Sequence, residues 1–197
     1  GAASLITAST DGKFFSNGLD LEWLQTEGDH RGGDRAVFGA EFMALMGRII
    51  TVPIPTIASI NGHAFGAGLM VALCHDVRVM REDRGFACAN EMQIGFKIPT
   101  PELGLFRHKL PANTFFETVQ LSRRWTGPEA LAAGVVQATA DLESLPALTL
   151  ARAKELAPLG ANRELYGEQK ERLFGENAVL DGPHGAAHML KNAADFR

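Results

Sequence analysis

The chain is poor in cysteine. Its two, Cys74 and Cys88, form no C-x-x-C pair and stand in apolar surroundings. They read as buried thiols of a reducing compartment rather than as a disulfide or metal framework. No run of about 18 or more apolar residues is present, so nothing is expected to span a membrane. No charged segment followed by an apolar stretch opens the chain, and no signal peptide is read. Basic residues are not in excess: the net charge is −4. Binding to nucleic acid needs clustered Lys and Arg to neutralise phosphates, so that class is set aside. There is no G-x-S-x-G elbow and no H-E-x-x-H pair, which leaves nucleophile-elbow hydrolases and zincins without a motif. Internal repeats and low-complexity segments are also missing.

What remains is a chain of 197 residues, 46% hydrophobic and 21% charged. That length suits one domain, since domains commonly run to roughly 100–200 residues. The composition is that of an ordinary globular protein with a substantial core.

Residues 4–8 read as a short buried strand closed by the turn cluster Ser9-Thr10-Asp11-Gly12. A short helix is expected over 19–24, with Asp20 near its start. Residues 27–34 are Gly-rich and charged and read as a mobile loop. Val37, Phe38, Phe42, Leu45, Met46 and Ile49 have helical spacing within 36–50. Pro53 and Pro55 block a helix before the β-rich stretch 56–60. Further along, helices are expected over 69–74, 101–110, 112–121, 128–133, 145–157 and 162–174. Strands are expected over 76–80, 85–89 and 134–136. After Gly175 periodicity is weak. Short apolar strands alternating with helices predict an α/β architecture with buried, largely parallel strands.

Three segments can carry chemistry. The first is Gly12-Lys13-Phe14-Phe15-Ser16-Asn17-Gly18-Leu19-Asp20. Gly18 permits an unusual backbone angle, so neighbouring N–H groups can point outward together. A plain strand-to-helix turn capped by Asp20 explains it equally.

The second, Asn61-Gly62-His63-Ala64-Phe65-Gly66-Ala67-Gly68-Leu69, lies between a strand and a helix. A helix start exposes unpaired N–H groups and positive dipole charge, which suits an anion, a phosphate or a developing oxyanion. A dinucleotide fingerprint wants a third glycine where Val71 stands, and no ribose-binding acid follows. No Gly-Lys-Ser/Thr completes a P-loop. His63 and His75 lack a third ligand at metal spacing and read as structural histidines.

The third is Asn90-Glu91-Met92-Gln93-Ile94-Gly95. A carboxylate held between an apolar strand and Ile94 gains basicity from burial. An exposed loop glutamate is the other reading. Glu102, after Pro101, reads as a helix first-turn residue complementing the dipole.

In this order the segments resemble the crotonase (enoyl-CoA hydratase/isomerase) superfamily. The likeness spans about residues 4–136. It includes Phe15-Ser16-Asn17-Gly18-Leu19-Asp20, Pro55 to Gly68, His75-Asp76-Val77-Arg78, Asn90 to Gly95, and Thr126-Gly127-Pro128-Glu129-Ala130 leading to Gly134-Val135-Val136. Each piece is weak alone, and the ordered set is specific.

The resemblance implies a ββα spiral core over 1–140 and a C-terminal helical trimerisation region over 141–197. Members usually carry a strand pair and a helix before the point where this sequence starts, so preceding material is expected. An acyl-CoA substrate is implied, with coenzyme A arriving as part of it and no other cofactor. So are an oxyanion hole of the Asn17 and Ala67 N–H groups and substrate contacts at Lys13, Phe15, Gly18, Asp20, Phe65, Gly66 and Met70. Leu69, Met92 and Phe96 join Phe65 and Met70 as acyl-pocket candidates, with core packing the equal alternative.

Hydratases of the family use two glutamates. One position is Met70 here and the other is Glu91. Retaining only Glu91 resembles the monofunctional Δ3,Δ2-enoyl-CoA isomerases, plant-type above all, with Glu102 a rival base. A homotrimer or hexamer in a bacterial cytoplasm or an organelle matrix is the implied setting. A hydratase of altered design, a thioester hydrolase, a non-catalytic acyl-CoA binder and a nucleotide-binding α/β domain are the alternatives.

Overall fold

The computed structural model describes residues 1–26, 35–175, 178 and 185–196. The loop expected over 27–34 lies outside them. The strands come in order β1 (Leu5–Ala8), β2 (Phe14–Ser16), β3 (Thr56–Ile60), β4 (His63–Phe65), β5 (Val77–Arg81), β6 (Ala87–Cys88) and β7 (Ala138–Ala140). Odd-numbered strands form a four-stranded sheet in the order β1-β3-β5-β7, and even-numbered strands form a three-stranded sheet in the order β2-β4-β6. Every pairing within them is parallel. The chain therefore places one strand in each sheet, crosses by a helix, and repeats. This is the α/β spiral of ββα units that the sequence implies.

The helices are α1 (Leu21–Thr26), α2 (Arg35–Ile50), α3 (Ala67–Leu73), α4 (Thr100–Lys109), α5 (Ala112–Val119), α6 (Gly127–Ala132), α7 (Leu145–Leu156), α8 (Arg163–Phe174) and α9 (Ala186–Lys191). β3 is central and buried at every position. Its β-branched Ile57 and Ile60 suit a strand buried on both faces. The main core joins Met46 and Ile50 of α2, Leu69 and Leu73 of α3, Met80 of β5, Leu105 and Phe106 of α4, and Ala187 and Leu190 of α9. A smaller cluster of Ile57, Val79, Ala140, Leu145 and Ala153 seats α7 on the larger sheet.

The strand expected over 134–136 is corrected. Gly134, at φ 75°, closes α6, and the N–H groups of Val135 and Val136 both donate to the Ala130 carbonyl. Those two valines are buried wedges after a helix end. The strand follows at Ala138–Ala140 and pairs with β5. Periodicity also hides α9, a single short helix that packs against α2 and α4.

A polar network holds the layers together. His75 is fully buried. Its Nδ1 donates to the Val71 carbonyl at 2.9 Å, which leaves Nε2 to accept from the Thr7 hydroxyl at 2.7 Å. Burial pushes its pKa down to about 4. His75 is thus used within the fold, His63 Nδ1 is buried without a hydrogen-bond partner, and the described residues contain no group of three potential metal ligands. Arg78, also buried, donates to the carbonyls of Val135 and His75.

Asp76 accepts from the Thr56 N–H and hydroxyl and from the Tyr166 hydroxyl. It also pairs with Lys170 at 2.8 Å. Lys170, 5% exposed in its side chain, donates in addition to the Ile54 carbonyl. This group ties α8 to the larger sheet. Asp76→Ala leaves an uncompensated buried ammonium and is expected to cost about 3–5 kcal/mol of stability. Urea denaturation at neutral pH measures it.

Candidate active site

The site forms where the two sheets feed the start of α3. β2 ends at Ser16 and the chain turns through Gly18, at φ 92°. β4 ends at Phe65 and turns through Gly66, at φ 51°, which is the N-cap of α3. The two turns meet backbone to backbone. A Cβ added to Gly18 would lie 3.1 Å from the Phe65 carbonyl oxygen and 3.5 Å from the Ala67 nitrogen. A Cβ on Gly68 would be 2.3 Å from the Ser16 carbonyl oxygen. Only glycine fits at such a seam.

This seam brings together Asn17 and Ala67, the two residues expected to supply N–H groups. The Gly18 N–H is used locally, donating to Ser16 Oγ at 3.3 Å. The Gly66 N–H donates to the Cys88 carbonyl at 2.9 Å. The N–H groups of Asn17 and Ala67 donate to no described residue. The Leu19 N–H is free in the same way, which the sequence reading did not single out. Its signal was the glycine before it, since a positive φ re-aims the following peptide.

Glu91 opens a single 3₁₀ turn, Glu91–Ile94. The turn is held by the N–H groups of Gln93 and Ile94 on the Asn90 carbonyl and of Phe96 on the Glu91 carbonyl. It aims the carboxylate at Gly66: Oε1 lies 3.2 Å from where a Gly66 Cβ would stand. Oε2 is buried and has no hydrogen-bond partner. Burial raises the Glu91 pKa. The glutamate is therefore not a solvated loop residue.

Glu102 is a second carboxyl group in this neighbourhood. It sits at the third position of α4 and is 7% exposed. Burial first, and the Glu91 charge second, push its pKa up to about 7. It does occupy the helix first turn, as expected, but burial outweighs the helix dipole.

The remaining candidates separate. Lys13 is exposed, its ammonium 4.9 Å from the Phe14 ring centre. Asp20 Oδ1 accepts from the Trp23 N–H at 2.9 Å and caps α1. Phe15, Leu69 and Met70 belong to the main core, Met70 at 3% exposure. Phe65 stacks on His63 and lies under Arg124. Met92 and Phe96 are about half exposed, beside Glu91 in sequence, and Ile94 with them. Cys74 and Cys88 are buried free thiols, pushed up to about 12 and about 11 by burial.

Glu102 has a folded pKa of about 7 against 4.5 unfolded, so the folded state binds the extra proton. Stability is then lost as pH rises through that window. Glu102→Gln, neutral at every pH, is expected to gain on wild type by up to about 3 kcal/mol between acid and pH 8. Denaturation of both proteins across that range reads the difference.

Comparison with known proteins shows the family. The family described as enoyl-CoA hydratase/isomerase matches residues 2–166. The peroxisomal enoyl-CoA delta isomerase 2 of Arabidopsis thaliana is 33% identical over 178 residues, covering 88% of this chain and 74% of that protein. An enoyl-CoA isomerase from Mycobacterium tuberculosis superposes with a TM-score of 0.79 at 24% identity, over 98% of this chain and 76% of that one. The human mitochondrial delta3-delta2-enoyl-CoA isomerase gives a TM-score of 0.79 at 22% identity, over 98% and 70%. Both superpositions speak to the fold. The chain belongs to the enoyl-CoA hydratase/isomerase family and has the crotonase fold.

Proposed function

We propose that this enzyme moves the double bond of a 3-enoyl-CoA thioester to the 2-trans position, with Glu91 as the base. The observation that carries the reading is the Glu91 carboxylate, unpartnered at Oε2 and set against Gly66 at the head of α3. A carboxylate shielded from water is a stronger base than a solvated one. The position where hydratases of this family keep a second glutamate holds the buried Met70. The isomerase name of the Arabidopsis relative supports the same choice.

In this scheme Glu91 removes a proton from C2. The electron pair delocalises into the thioester, and negative charge grows on its oxygen. The Ala67 N–H stabilises that charge together with an N–H from the Asn17–Leu19 turn. Protonation at C4 then completes the shift. Both donors are backbone groups, so alanine at 67 serves where the family has glycine. In this scheme the exposed Lys13 meets a CoA phosphate, and the half-exposed Met92 and Phe96 meet the acyl chain. Coenzyme A enters with the substrate, and no resident cofactor takes part in any step.

We also assign the C-terminal helices a role in a homotrimer or hexamer. Leu150, Leu159 and Leu165 are exposed there, at 48%, 57% and 61%. An aqueous reducing compartment, bacterial cytoplasm or organelle matrix, suits the two buried thiols.

Exchange of the C2 proton with deuterium oxide tests the base. Glu91→Gln is expected to abolish it and Glu102→Gln to retain it; the reverse pattern would make Glu102 the base. Ala67→Pro tests the oxyanion donor, because proline is accommodated at the first position of a helix yet lacks the N–H. It is expected to lower kcat about 10²–10³-fold with the fold retained by circular dichroism. Of Asn17→Pro and Leu19→Pro, only the one that removes the second donor matches that loss.

A further inference from the structure

Glu102 has an environment that the single-base scheme does not use. A glutamate at the third position of a helix ordinarily turns back to the backbone N–H of the N-cap residue. Here the N-cap is Pro99, which has no N–H, and the second helical position is Pro101, which has none either. No donor among the described residues reaches the Glu102 carboxyl oxygens. Yet the residue is 7% exposed. Among the described residues its neighbours offer no counter-ion. α3, which packs on α4, runs Ala67–Leu73 without one ionisable side chain. On α5, Glu117 is paired with Arg123. On α9, Lys191 is paired with Glu171, and His188 lies against Asn192 and Phe196. Asp195, in the closing 3₁₀ turn, carries the same sign as Glu102. The charged group that acts on Glu102 is Glu91. Two carboxyl groups, Glu91 with its Oε2 unpartnered and Glu102 met by no donor among the described residues, thus lie in one shielded region.

We propose that Glu102 is the second proton-carrying group of this site, delivering a proton to C4 while Glu91 takes one from C2. The inference rests on the isomerase reading above. The balance is simple. Ionised Glu91 gains the C2 proton as the C2–H bond breaks and the dienolate forms. Neutral Glu102 gives its proton to C4 as the new C–H bond forms, and becomes the carboxylate. A proton then passes from Glu91 to Glu102, directly or through solvent, and restores the starting state. Nothing is oxidised or reduced. The arrangement also explains why no described donor or cation meets Glu102. A hydrogen bond or cation on Glu102 would favour its ionised form and empty the proton store. Repulsion between the two carboxylates keeps one proton on the pair near neutral pH.

The test follows the isotope at C4. Protio 3-enoyl-CoA is converted in deuterium oxide and the first product formed is analysed. A single base carries the C2 protium to C4. Two groups instead place deuterium there, because Glu102 equilibrates with solvent between turnovers. Wild type is expected to give C4 almost fully deuterated. Glu102→Gln is expected to lower kcat at least tenfold, to retain C2-derived protium at C4, and to lose the alkaline limb of the kcat–pH profile near pH 7. Glutamine is isosteric, and a thermal melt confirms that the variant folds. Protium retained at C4 by wild type and variant alike would overturn the two-group relay while leaving Glu91 as base. No conversion and no C2 exchange by wild type would overturn the isomerase reading, and the relay with it.

Discussion

The site depends on a seam where two backbones touch with no side chain between them. The Ser16 carbonyl lies against Gly68, and Gly18 lies against the Phe65 carbonyl and the Ala67 nitrogen. Side chains at either glycine would force the β2 turn away from α3. The seam also fixes which N–H groups stay free. Gly18 is consumed by Ser16 Oγ and Gly66 by the Cys88 carbonyl, while the N–H groups of Asn17, Leu19 and Ala67 donate to no described residue. Parallel pairing of β2, β4 and β6 brings these turns and Glu91 to the same end of one small sheet. Position here comes from strands of two or three residues, held by the core beneath them.

Polar groups in the molecule fall into two kinds of environment. Lys170, Arg78 and His75 are buried, and Asp76 and Tyr166 half-buried, but all are satisfied, each with a partner within hydrogen-bond distance. They bind helices to the larger sheet. Glu91, whose Oε2 has no partner, and Glu102, met by no donor among the described residues, are shielded from water, and that burial raises the pKa of each. An unsatisfied buried carboxyl group destabilises the fold. It persists where the surrounding packing is strong enough to carry that cost, and α3 and α4 contribute Leu69, Leu73, Leu105 and Phe106 to the core directly alongside.

Much of this was legible in the sequence. The prolines ahead of residue 56 placed β3, and apolar spacing placed α2. The ordered motifs placed Gly66, Ala67 and Glu91 together before any contact was seen. Short elements were not legible: β2 and β4 have three residues each, too few for alternation to register. Val135 and Val136 looked like a strand because β-branched residues also suit a buried helix exit. The tail beyond residue 175 hid α9, whose apolar residues are two alanines, a methionine and a leucine. The burial of Glu102 was out of reach as well. Its position next to Pro101 suggested a solvated first turn, and only tertiary packing removes that solvent. Met70 and Leu69 were offered both as pocket and as core, and their burial in the main cluster places them in the core.

The most direct measurement compares two reactions of one preparation: isomerisation of a 3-enoyl-CoA and hydration of the matching 2-trans-enoyl-CoA. With Met70 where a hydratase keeps a carboxylate, isomerisation is expected to exceed hydration by at least a hundredfold in kcat/KM. Equal rates, or faster hydration, would contradict the account.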